Sequence, residues 1–64
     1  MLLPRLRFHR DQQGYSQAEL AKLARLSKAT VLKAEAGREV RGSSARALAK
    51  ALRVPLEQLR QPSL

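Results

Sequence analysis

The stretch Tyr15-Ser16-Gln17-Ala18-Glu19-Leu20-Ala21-Lys22-Leu23-Ala24-Arg25-Leu26-Ser27-Lys28-Ala29-Thr30-Val31-Leu32-Lys33-Ala34-Glu35-Ala36-Gly37 decides the fold. Ser16 and Glu19 are spaced as a capping box, in which each side chain satisfies the other's free backbone N–H. Tyr15 and Leu20 take the two positions of a hydrophobic staple around that cap. Leu20, Ala21, Leu23 and Ala24 then share one broad face of a helix that ends near Arg25. Ser27 is a suitable cap for a second run over 28–36, and Gly37 a suitable stop. Only Arg25 and Leu26 separate the two runs, so the chain turns sharply between them.

Helix signals continue on both sides. Pro4 suits a first turn, where a missing N–H costs nothing, and that helix runs to about Gln13 with Gly14 as its left-handed stop. Its inward stripe is Leu3, Leu6, Arg10 and Gln13, and Phe8 points away from it, toward a later helix or a partner. Gly37 to Gly42 reads as a polar loop. Ser43 or Ser44 then caps a helix to about Leu52, with Ala45, Leu48, Ala49 and Leu52 on one side and Arg46, Lys50 and Arg53 in a basic stripe on the other. Pro55 opens a last short helix carrying Leu56 and Leu59, and Pro62 discourages its continuation.

Composition agrees with this pattern. Sixty-four residues allow one small domain, expected over 1–64, and no second core. Ten alanines and twelve leucines dominate the apolar set, and isoleucine is absent. Strands need β-branched side chains for a half-buried pleat, whereas Ala and Leu are the best helix formers. An all-α domain follows.

Several function classes fall on inventory. No cysteine means no disulfide framework and no thiolate zinc site. One His and one Asp are too few for a metal cluster or a catalytic triad, so no metal, cofactor or enzymatic activity is expected. Met1-Leu2-Leu3 is the longest N-terminal apolar run and cannot span or enter a membrane. Phe8 and Tyr15 are too few to form a stacking platform for single-stranded nucleic acid. The net charge of +8 is spread along the chain and suits a polyanion without locating it.

Gly14 to Ala21, Ser27 to Thr30 and Glu35-Ala36-Gly37, with Leu48 to Leu52 and Val54 to Leu59, closely resemble the XRE family of phage Cro and repressor-type helix-turn-helix proteins. The resemblance covers roughly residues 5–60, with the helix-turn-helix at about 16–37. It implies a compact five-helix, lambda-repressor-like domain whose third helix enters the DNA major groove. It places Gln17 on a phosphate, bracing the recognition helix, where a helix N-terminus suits an anion; the plainer reading is a polar first-turn residue. It pairs Arg10 on the first helix with Glu35 late in the third, and the same arginine can face the DNA backbone. Arg25 and Arg53 stand where the family usually has glycine, and a left-handed non-glycine residue costs roughly 1 kcal/mol. Ala24 and Ala34 replace larger residues, which makes the core look underfilled.

On the third helix, 100° per residue turns Val31 and Ala34 inward with Thr30 and Glu35 at the borders. Lys28, Ala29, Leu32, Lys33 and Ala36 face the other way. Lys28 and Lys33 can donate to guanine edges or phosphates, and Ala29 and Leu32 can touch thymine methyls; Leu32 serves equally well as a protein contact. With no Gln, Asn or Arg on this face, specificity must draw on DNA shape and phosphate register. Arg38 and Arg41 are the expected backbone clamps, with Arg10, Gln17 and Ser27 as further phosphate contacts.

The resulting expectation is a sequence-specific transcriptional regulator of double-stranded DNA, a repressor acting as a homodimer, cytoplasmic and bacterial or phage-encoded. Val54, Leu56, Leu59 and Leu64 are its candidate dimer residues. The alternative is a protein-interaction module, either the antitoxin of a toxin–antitoxin pair or an adaptor that contacts polymerase.

Overall fold

The computed structural model describes residues 1–62, and among them it contains five helices and no strand. They are α1 (Leu6–Gln12), α2 (Gln17–Ala24), α3 (Lys28–Glu35), α4 (Gly42–Leu52) and α5 (Leu56–Arg60). Ser16 closes the capping box in full: its Oγ accepts from Glu19 N–H at 3.0 Å and the Glu19 carboxylate accepts from Ser16 N–H at 2.8 Å. Ser27 Oγ accepts from Thr30 N–H at 3.2 Å and so starts α3.

Helices α2 and α4 end in the same way. Arg25 (φ 58°) and Arg53 (φ 57°) both adopt the left-handed conformation. Each closes a turn in which the next residue donates five residues back, Leu26 N–H to Ala21 O at 2.9 Å and Val54 N–H to Ala49 O at 3.1 Å. This closure favours glycine, and here arginine fills it twice.

The core is built from Leu3, Leu6, Leu20, Val31, Leu48, Leu52 and Leu59, all fully buried, with Ala24, Ala34, Ala45 and Ala49 filling between them. The 2–3 turn is pulled tight by α2 and α3 packing on each other, and α2 also packs on α4. Arg5 N–H donates to Leu59 O at 3.2 Å, which ties the start of the chain to α5. The Gln13 amide donates to Leu52 O, one of the carbonyls that a helix C-terminus leaves without a partner.

The structure corrects five details of the sequence reading. First, α1 begins at Leu6 rather than Pro4, because residues 4–5 form a turn closed by Leu6 N–H to Leu3 O. Second, Leu23 is 52% exposed. Leu20, Ala21 and Ala24 already span about 100° of α2, and Leu23 lies about 60° beyond that arc. Third, Val40 is buried within the loop expected to be polar. The Met1 amino group donates to Val40 O at 2.8 Å, and Val40 N–H donates to Met1 O at 3.0 Å, pinning the loop to the chain start.

Fourth, this pinning keeps the backbone extended through Arg41, which becomes the N-cap of α4 in place of Ser43 or Ser44 and makes no side-chain cap bond. Fifth, Phe8 does not pack on α5. It is 45% exposed, with the Arg5 guanidinium 4.5 Å from its ring centre and the His9 ring edge-on to it.

Candidate nucleic-acid interface

The outward face of α3 follows from what its inward face must do. Only Val31 and Ala34 are buried on this eight-residue helix. Lys28, Ala29, Leu32, Lys33 and Ala36 are exposed on the other side, with Leu32 at 45%. Thr30 is half-buried and its hydroxyl lies 3.0 Å from Ser27 Oγ, so both side chains are engaged at the cap.

Two buried apolar side chains are little to hold a helix, and a polar lock adds to them. Arg10 Nε donates to Glu35 Oε2 at 2.6 Å and Arg10 Nη2 to Glu35 Oε1 at 3.0 Å, a two-pronged pair between α1 and α3. Arg10 Nη1 donates to Tyr15 O at 2.8 Å and lies 3.2 Å from Asp11 Oδ1. The Gln17 amide donates to Glu35 Oε1 at 3.2 Å, so the first residue of α2 joins the same carboxylate. The Arg10 and Glu35 side chains are only 11% and 6% exposed. Hydrogen bonding to Glu35, more than the opposing burial, pushes the guanidinium's affinity for its proton above the usual arginine value.

This geometry bears on two of the expected site residues. Arg10, also offered to phosphate, has three of its nitrogens committed to the protein and so positions α3. Gln17 braces α3 through Glu35, and at the same helix end the capping box uses the Glu19 N–H.

Beside the lock lies an open depression of about 540 Å³ where α1, the start of α2 and the end of α3 meet. Gln17, Leu32 and Ala36 line it together with Arg7, which the sequence reading did not single out. Arg7 is three residues before Arg10 and 74% exposed, its one partner being Asp11 at 3.7 Å. Its position one turn ahead of an expected site residue was the available signal. A second depression of about 270 Å³ brings Lys33 beside Arg41, with Thr30 and Ser44. Lys28, Ala29 and Arg38 are exposed but line neither depression.

The dimer candidates separate. Leu59 is completely buried inside its own chain and has no surface to offer a partner. Val54 and Leu56 are half-buried, and Leu64 lies outside the described residues. No helix of the described chain is long and apolar enough to cross a membrane.

Two short helices joined by a tight turn, the second held from behind and presenting a cationic outer face, define a helix-turn-helix domain. A helix-turn-helix family model matches residues 6–59, and the chain belongs to that family, of the XRE type. Its fold is also that of the crystal structure of a hypothetical transcription factor, NHTF, from Neisseria, with a TM-score of 0.82 and 34% identity over 89% of this chain. The chain spans 65% of that protein's length. A comparison with curated proteins finds no match.

Proposed function

We propose that this domain is the DNA-reading unit of a transcriptional regulator, with α3 in the major groove of double-stranded DNA. Eight residues at 1.5 Å each make a rod about 12 Å long, and a helix fits a groove about 12 Å wide. Lys28, Ala29, Leu32 and Lys33 face the base edges. Phosphates are held by the free N–H groups at the start of α2, by Arg7 and Ser27, and by Arg38 and Arg41 after α3. The observation that carries this reading is the Arg10–Glu35–Gln17 lock, which fixes α3 from behind while its outer face stays free.

A domain of this size covers one half-site, so it acts as a homodimer on a two-fold site with half-sites about one helical turn apart. Among the described residues Val54 and Leu56 are the surfaces left for the dimer contact. Binding over a promoter then represses by occlusion.

Selection from random duplex DNA at two salt concentrations tests the reading. One enriched, two-fold-related sequence is expected at both. Lys33→Ala should lower discrimination at one base position by about 1–3 kcal/mol, whereas Arg41→Ala should weaken all sequences alike and reduce the salt slope by about one per subunit. Enrichment of no sequence, with affinity set by salt alone, would overturn it.

A further inference from the structure

A third surface shares no residue with either depression beside α3. Between α2 and α4 runs an open groove of about 590 Å³. Its floor is apolar, from Leu23, Ala47 and Ala51, and its rim is cationic, from Arg25, Lys50 and Arg53. No acid lines it, and none of the three cations has an ion-pair or side-chain hydrogen-bond partner among the described residues. The acid one turn before Leu23, Glu19, is committed to its capping box.

Two of the rim residues are the left-handed arginines that end α2 and α4. The fold does not need arginine there, since glycine closes the same turn without strain. Both strained positions face one groove, and strain kept at two converging residues points to their side chains being used.

We infer that this groove docks an amphipathic acidic segment of a partner protein, with leucine-like side chains on the floor and carboxylates on the three cations. A second copy of this chain is a poor occupant. Of its five acids, Asp11, Glu19, Glu35 and Glu39 already have partners, which leaves Glu57 to face three cations. Single-stranded nucleic acid is also a poor occupant, because the floor has no aromatic ring on which a base can stack. Along α4 the groove extends from Ala47 to Arg53, about 9 Å of helix, a little under two turns of a docked helix.

The test titrates a synthetic helix of about 15 residues, leucine on one face and glutamate on the other, into the isotopically labelled full chain, followed by amide shifts. Saturable shifts centred on Leu23, Ala47 and Ala51 are expected, and a sequence-scrambled peptide should not produce them. Arg25→Gly/Arg53→Gly removes two rim charges and relieves both strained turns. It should therefore melt at a higher temperature while binding the peptide at least about tenfold more weakly. Arg7→Gln/Arg38→Gln removes the same charge elsewhere and should leave peptide affinity within about twofold.

Retained affinity in the glycine variant, equal binding of the scrambled peptide, shifts on the α3 face, or no saturation would each overturn the inference. So would a duplex oligonucleotide that moves the groove resonances. DNA affinity of the glycine variant, expected to stay near that of the parent, is read separately, so failure at this groove is distinguishable from failure of the DNA-reading role.

Discussion

Helices α3 and α4 solve the same problem with different means. α4 buries four side chains, Ala45, Leu48, Ala49 and Leu52, along a continuous apolar stripe, and its opposite face needs no assistance from other elements. α3 buries only Val31 and Ala34 and is held at its far end by a buried ion pair reaching back to α1. The difference follows from exposure. A helix that offers most of its circumference to a groove has too narrow an inward stripe for apolar packing alone, so charge-assisted hydrogen bonds, roughly twice as strong as neutral ones, supplement it.

The contrast can be broken from either side. Leu48→Ala should cost about 2–5 kcal/mol and loosen the whole domain, because Leu48 is fully buried on α4, the helix that packs on both α2 and α5. Glu35→Ala should cost about 1.5–3 kcal/mol by removing the charge-assisted hydrogen bonds from Arg10, which keeps Tyr15 O and Asp11 as partners. Denaturant titration gives both magnitudes, and hydrogen exchange separates their sites. Protection should fall across all helices in the first variant and mainly in α3 in the second.

Replacing both members of the pair sharpens the comparison. Arg10→Met/Glu35→Leu should recover most of the stability lost in Glu35→Ala, since apolar residues of similar volume often match a buried pair. If the lock also sets the angle of α3, DNA affinity should not recover with it. Equal recovery of both would show that the pair is only packing.

Smaller effects come from the helix ends. Arg25→Gly and Arg53→Gly should each stabilise by about 1 kcal/mol, seen as a melting shift of about 4–8 °C in a domain of this size.

Two titrations give the smallest signal. Burial, followed by the charge of Arg5, lowers the His9 proton affinity below the ordinary value of 6.5, and its Nε2 is buried without a partner among the described residues. The Ser16 backbone N–H, followed by the Ser16 hydroxyl, lowers Glu19 below 4.5. In both cases the unfolded chain binds the proton more readily, so stability is full above the ordinary value and falls as pH drops through the folded one. Denaturation midpoints should therefore decline in two stages on acidification. His9→Gln should remove the stage below about 6.5 and Glu19→Gln the stage below about 4.5.

What could be read along the chain is what local chemistry decides. The Ser16–Glu19 box, the Ser27 cap, the short 2–3 turn and the inward pair Val31 and Ala34 all rest on spacings of a few residues, and the structure contains each of them. The Arg10–Glu35 pair joins residues 25 apart, and only the family resemblance suggested it. How many of that arginine's nitrogens the fold uses is likewise something of which spacing carries no record.

The remaining differences share one cause. Leu59 and Leu23 are the same residue type on short amphipathic helices, yet one is sealed in the core and the other is half in solvent. Arg7 comes to line the depression beside Gln17 and Leu32 because α1 lies against α3, and Val40 joins the core because the chain's first residue pairs with it. Sequence by itself determined that there are five helices, the Ser16 and Ser27 caps and the outward cations of α3, since these depend on neighbours within a turn. Tertiary structure decided which leucines were left uncovered, which arginine became a brace, and which two arginines share a groove. Those outcomes depend on where separate helices meet, and that is set by packing the whole chain at once.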